Sequence, residues 1–213
     1  MQTEHLISRL SATSRPVDSG WLRRAAWLAG MFGLVLTSAV VAIWLGARPD
    51  LATALTTPPV IAKFAFGAGV AGGALVLFER SLRPGLQVRA LLPWLAVPAA
   101  LLMGGAMVVL WLAPADQWSM LIFGRNWRSC LVIVPLLALC PLALLGWLAR
   151  RGAPVDRRLT GVAAGLASAG IAIIAYAIHC PDDAIPFVAT WYMSATIISA
   201  TFATAFLPRL LRW

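Results

Sequence analysis

Between Tyr176 and Tyr192 the chain reads Y-A-I-H-C-P-D-D-A-I-P-F-V-A-T-W-Y, and residues 179–183 crowd an imidazole, a thiol and two carboxylates together. Those groups suit three kinds of chemistry. Thiolate and imidazole are ligands for soft metal ions, a neighbouring base or cation tunes a thiol toward the reactive thiolate, and short acidic side chains cap helix ends. Pro181 disfavours helix at Cys180, and Pro186 suits the first turn of a following helix. The cluster therefore occupies a tight turn between two apolar runs. Short turns between membrane helices often carry Asp, so the residues alone weigh evenly between chemistry and capping.

The elements that must position this turn are membrane spans. Of the 213 residues, 61% are apolar and 12% are charged, whereas soluble domains sit near half apolar and a quarter charged. Runs of about 20 apolar residues cross a bilayer core. Six such runs are present, over about 25–46, 60–79, 91–113, 130–149, 159–178 and 187–207. They predict an all-α fold, a polytopic integral membrane protein in which a bundle of six transmembrane helices (25–213) follows a short N-terminal tail (1–24). No length remains for a second folded domain.

The net charge of +9 is explained by where it falls. With the N-terminus placed in the cytoplasm, the inside segments carry Arg9, Arg15, Arg23, Arg24, Arg80, Arg83, Arg89, Arg150, Arg151, Arg157, Arg158, Arg209 and Arg212. The outside loops carry Arg48, Arg125 and Arg128, and Lys63 lies within the second span. That asymmetry is the positive-inside pattern, and it predicts both termini in the cytoplasm. Basic charge here reports topology, so no direct nucleic-acid partner is expected, and the lipid bilayer is the first partner implied.

Residues 1–20 lack the apolar core of a cleavable signal peptide. Thr3 and Glu4 read as a helix start, with Leu6, Ile7 and Leu10 on one face of a short amphipathic helix over about 4–12. Such a helix lies on a lipid surface or docks its stripe into a partner's groove. In the second span, Lys63 is expected to snorkel toward the outer interface, with a place beside a carboxylate or thiolate as the alternative. The glycines at 67, 69, 72 and 73, and Gly161-x-x-x-Gly165 in the fifth span, provide smooth flanks for close helix contact. Pro98 is expected to kink the third span.

Topology gives the 179–183 turn a partner. Cys130 tops the fourth span and Cys180 the fifth, at one membrane level on the outer side, and consecutive antiparallel helices usually pack as neighbours. The two can approach to disulfide distance, which needs Cα atoms within about 7 Å. A structural staple, or two thiols that never meet, are the alternatives. His179 and the acids beside Cys180 equally suit a reactive or metal-touched thiol. Cys140 lies ten residues below Cys130, about 15 Å down the helix, and reads as a small packing residue.

Several of these pieces, in this order, resemble the NrsF-type membrane regulators, negative regulators of an extracytoplasmic-function sigma factor. The matching segments are L-G-x-R-P-D-L (45–51), R-S-C (128–130), R-R-G-A-P (150–154), H-C-P-D-D (179–183), W-Y (191–192) and L-L-R-W (210–213). The likeness covers essentially the whole chain. It implies a bacterial inner-membrane anti-sigma factor whose cytoplasmic side holds a sigma factor inactive. It also implies an outer cysteine pair that takes part in sensing, here Cys130 and Cys180, with His179 and Asp182 beside it. Sigma-factor contacts are expected from Leu6, Ile7 and Leu10 of the tail and from Arg83 and Arg151 of the inner loops. The expected signal is an oxidant or a thiophilic metal.

Two other classes fit the sequence less well. A membrane thiol oxidoreductase usually displays C-x-x-C or a second cysteine pair, and this chain has three cysteines and no C-x-x-C. A small transporter places ionisable groups near mid-membrane, whereas Lys63 and Glu79 lie near span ends. The expectation is a regulator, not an enzyme, with no cofactor.

Overall fold

The structure is a computed structural model that describes residues 20–86 and 88–211 together with Thr3, His5, Ile7 and Ser8. Among the described residues there is no strand, and six helices are long and apolar enough to cross a membrane. We number them α1 (Trp21–Val40, continued by a π-helical turn Val41–Leu45), α2 (Pro58–Ser81), α3 (Leu92–Leu112), α4 (Trp127–Ala149), α5 (Arg157–Ala177) and α6 (Met193–Leu210). A short helix, Ile185–Phe187, and a second π-helical turn, Val188–Tyr192, lead into α6 without a break. The six spans expected from apolar run length are thus present, each within a few residues of its expected bounds.

The ends of the helices follow local chemistry. α2 starts on Pro58 and Pro59, where missing N–H groups cost nothing. α5 starts after Asp156, whose carboxylate accepts the backbone N–H groups of Arg158 and Leu159, both at 3.0 Å. Gly46 closes α1 at φ 77°, a left-handed backbone that glycine adopts without strain.

α5 is the axle of the bundle, packed chiefly by α2 and α6 and then by α4 and α1, while α3 leans on the outside against α2. Its Ala, Gly and Ser side chains permit this. A Cβ added at Gly170 would lie 2.5 Å from the Ala71 nitrogen and 2.7 Å from the Gly67 oxygen, both backbone atoms of α2. One added at Gly165 would lie 2.7 Å from Ala200 Cα of α6. Small residues let backbones approach this closely, which is how helices gain dispersion contacts where no water drives burial. The outer faces of the bundle are apolar and exposed, as at Trp94, Leu101, Trp111 and Val132.

Two core clusters lie along the axle. One, around Phe78, Leu145, Leu148 and Leu207, belongs to the end where α2 finishes and α5 begins, here the arginine end. The other, around Tyr176, Tyr192, Phe187, Cys130 and Cys180, belongs to the opposite, cysteine end. At the N-terminus, Thr3, His5, Ile7 and Ser8 are helical and Ile7 is exposed. Leu6 and Leu10 of the expected amphipathic stripe lie outside the described residues.

Candidate functional site

The turn that joins α5 to α6 begins where Pro181 ends helical continuation, with the Cys180 N–H still donating to Tyr176 O at 3.0 Å. Cys130 stands in the first turn of α4. The two sulfurs lie 3.7 Å apart as free thiols, and neither residue has any exposed surface. Tyr176 and Tyr192 flank them with ring centroids 6.3 Å apart. The Tyr192 hydroxyl is buried with no hydrogen-bond partner. Cys140 is half-buried lower on α4.

Beneath the turn sits a charge cluster in which Lys63 takes the alternative place, beside a carboxylate, while the part of Arg48 and Asp50 went unforeseen. Lys63 does not snorkel: it is fully buried, and its Nζ donates to Cys180 O at 3.2 Å, Asp182 O at 2.8 Å and the Asp183 carboxylate. Desolvating an ammonium is costly unless charge and hydrogen bonds replace its water, and here two carbonyls and a carboxylate do so. Arg48 grips the same turn from the other side, donating to Asp183 Oδ2 at 2.7 Å, to Cys180 O at 3.3 Å and through a bidentate fork to Asp50 at 2.8 Å. Hydrogen bonds to Asp50 and Asp183 hold the Arg48 guanidinium above its ordinary value against the opposing effect of burial, and Arg48 holds the Asp50 carboxyl below the usual range. The available signals were a lysine inside an apolar run and an Arg-x-Asp pair in the facing loop.

The remaining groups of the turn are committed to neighbouring loops. The Asp182 carboxylate accepts the backbone N–H groups of Arg125 at 3.1 Å and Asn126 at 2.8 Å, just ahead of α4. His179 Nδ1 lies 2.9 Å from Gly46 O, so that nitrogen carries the hydrogen, and Arg48 N–H donates to Ile178 O at 3.0 Å. Trp191 Nε1 donates to Ile122 O at 2.7 Å while its ring packs on Trp127, centroids 4.7 Å apart. Cys180 therefore sits on a turn clamped from three directions. Its thiol is held below the ordinary value by the hydrogen bond with Cys130 and by the Lys63 ammonium, against burial, which pushes it up. Among the described residues, no group of three or more His, Cys, Asp and Glu side chains converges as a metal site. Two sulfurs are what this end offers a soft cation.

At the arginine end, Arg83 follows α2 and Arg151 follows α4. Arg151 lies over the Trp147 ring at 4.1 Å, and Arg83 approaches Glu79 at 3.8 Å. The Ala153 N–H donates to Leu82 O at 3.1 Å, tying the two inner loops together. Cys130, Cys180, His179 and Asp182 are thus gathered at one end and Arg83 and Arg151 at the other, with α2 and α5 running between them.

Comparison with known proteins gives a consistent family. Residues 10–213 match the family described as negative regulator of sigma F, NrsF. The chain is 30% identical over 213 residues to the probable anti-sigma-F factor NrsF of Azospira oryzae, with the whole of both chains covered. It is 32% identical over 218 residues to the anti-sigma-F factor NrsF of Caulobacter vibrioides, again with both chains covered in full. No solved structure matches.

Proposed function

The chain belongs to the family of negative regulators of sigma F, and from that premise we propose that it is an inner-membrane anti-sigma factor with a periplasmic cysteine sensor. Its arginine end faces the cytoplasm, as the placement of its arginines favours, and holds an extracytoplasmic-function sigma factor inactive. Its cysteine end faces the periplasm and registers an oxidant or a thiophilic metal. The observation that carries this reading is the 3.7 Å approach of the Cys130 and Cys180 sulfurs on a turn clamped by Lys63 and Arg48.

Oxidation joins the two sulfurs, passes two electrons to the oxidant and releases both thiol protons. A soft cation displaces the same protons and binds both sulfurs. Either event draws Cys180 toward Cys130. The Cys180 carbonyl is held by Lys63 of α2 and by Arg48, so movement of the turn loads those contacts. α2 carries the load to Glu79 and, just past its end, Arg83. Moving a two-state balance from 1:99 to 99:1 takes about 5.5 kcal/mol, and a disulfide supplies about 2–4 kcal/mol. The thiol event is thus of the right order to bias the balance away from the sigma-bound state.

The test is co-purification of a sigma factor with the full chain from membranes, before and after an oxidant or thiophilic metal. A sigma factor should be retained at rest and released by the stress. Cys130→Ser, Cys180→Ser and the double variant should lose release to nearly the same degree, because either chemistry needs both sulfurs. Cys140→Ser should keep it. A double variant that releases normally would remove the sensing role, and a wild-type chain that retains no sigma factor would remove the anti-sigma reading itself.

A further inference from the structure

We propose that the cavity at the arginine end is a docking pocket for an acidic, apolar-edged segment of the sigma factor, with Arg83 receiving a carboxylate from it. The proposal rests on the anti-sigma reading above and adds the place and chemistry of the contact.

The cavity measures about 470 Å³ and lies between the loop that leaves α2 and the start of α5, lined by Ser81, Arg83, Leu86, Val88, Val155 and Asp156 among others. That volume falls within the range of sites that hold several side chains' worth of ligand. Its polar groups are mostly spent. Ser81 Oγ donates to Phe78 O at 2.8 Å and accepts from Thr160 Oγ1 at 3.0 Å, and the Asp156 carboxylate caps α5. Arg83 is the exception. Its Nε and Nη2 are shut off from water with no acceptor, and the approach to Glu79, whose Oε2 is also unpartnered, is only 3.8 Å. A buried donor without a partner is costly, and a guanidinium fork matches a carboxylate in two parallel bonds. The side chain lines the cavity and remains 26% exposed.

The surroundings choose the occupant. α2 ends at Ser81, α4 at Ala149, and α5 begins at Arg157, so residues 82–86, Val88 and residues 150–156 lie outside the long helices. Yet Val155 is 78% and Leu86 46% exposed there. Apolar side chains beside the mouth of a charged cavity suit the apolar edge of a protein segment. Around them stand Arg80, Arg150, Arg151, Arg157 and Arg158 against the acids Glu79 and Asp156, so a partner segment of negative charge is steered to the site and a basic one repelled. Lipid phosphate shares the charge but not the apolar edge, and is the alternative that the test separates.

The experiment measures binding of the sigma F-type factor from the organism encoding the chain to full-length protein in nanodiscs of purely zwitterionic lipid. Wild type should bind. Arg83→Gln, which removes the fork, and Ala90→Trp, which fills the cavity from an exposed lining position, should each weaken binding tenfold or more with unfolding midpoints near wild type. Arg209→Gln, outside the cavity, should stay within threefold. If either pocket variant binds within threefold of wild type, the pocket is not the docking site. If the losses appear only when anionic lipid is added, the occupant is a headgroup and the proposal falls. If wild type binds no sigma factor, the anti-sigma reading fails first.

Discussion

The two ends of the bundle treat their buried charges in opposite ways. At the cysteine end, Lys63, Arg48, Asp182 and Asp183 all find partners contributed by elements distant in sequence. At the arginine end, Glu79 in the last turn of α2 and Arg83 just past it lie 3.8 Å apart and leave three buried polar atoms without a hydrogen bond. The first end satisfies its charges within this chain. The second has the character of half an interface, with unmade hydrogen bonds whose cost a partner would relieve. A completed end resists change until covalent or metal chemistry forces it, while an incomplete end responds to whatever binds.

The sharpest way to break this contrast is at Asp183. Asp183→Ala leaves the Lys63 ammonium buried without its counter-charge, and loss of one partner of a buried pair costs about 3–5 kcal/mol. Thermal unfolding in detergent should show a large drop, and Lys63→Met with Asp183→Leu should recover much of it, since replacing both charges removes the desolvation cost as well. A small drop for Asp183→Ala would mean that the clamp is not the organising feature of that end.

The spine between the ends comes next. Gly170→Ala drives a methyl into the α2 backbone at Ala71 and Gly67, and overpacking of this kind costs about 1–3 kcal/mol. It should lower the unfolding midpoint and also blunt release of the sigma factor, because α2 and α5 no longer seat together. Normal release in a destabilised Gly170→Ala protein would uncouple the two ends.

At the arginine end the expected effect is smaller. Replacing Glu79 and Arg83 together by Gln should change stability by less than about 1 kcal/mol, as for loosely formed ion pairs. A loss as large as that of Asp183→Ala would erase the contrast. Smallest of all is Asp50→Asn. Arg48 holds the Asp50 carboxyl below its ordinary value, so its stabilisation is present above that ordinary value and is lost as pH falls through the lowered one. The unfolding midpoints of Asp50→Asn and wild type should therefore differ slightly at neutral pH and converge in acid.

Much of this architecture was legible because membrane spans announce themselves by run length alone. The meeting of Cys130 and Cys180 was also legible, since counting helix ends places both at one level. The fate of Lys63 was not. Its partners lie about 120 residues away, and a span read in isolation favours the interface for a lysine and leaves a buried carboxylate as the second choice. Asp182 and His179 stood beside the thiol in sequence, yet their side chains reach Asn126 and Gly46. Adjacency along a turn does not fix direction, because successive side chains of an irregular backbone point apart. The two π-helical turns, Val41–Leu45 and Val188–Tyr192, carried no sequence signal at all. Each depends on neighbours that stabilise one extra residue in the turn.

Neither sulfur of the pair touches solvent, and that sets how the pair meets any reagent. A reagent in bulk water encounters only the small fraction of molecules in which the 178–184 turn has opened, so its apparent rate is the intrinsic rate multiplied by that fraction. Each 1.4 kcal/mol added to the closing free energy makes the required dose about tenfold larger. The contacts of Lys63, Arg48 and Asp182 therefore act as the threshold dial of the thiols, and the dial can be turned without altering the thiols themselves.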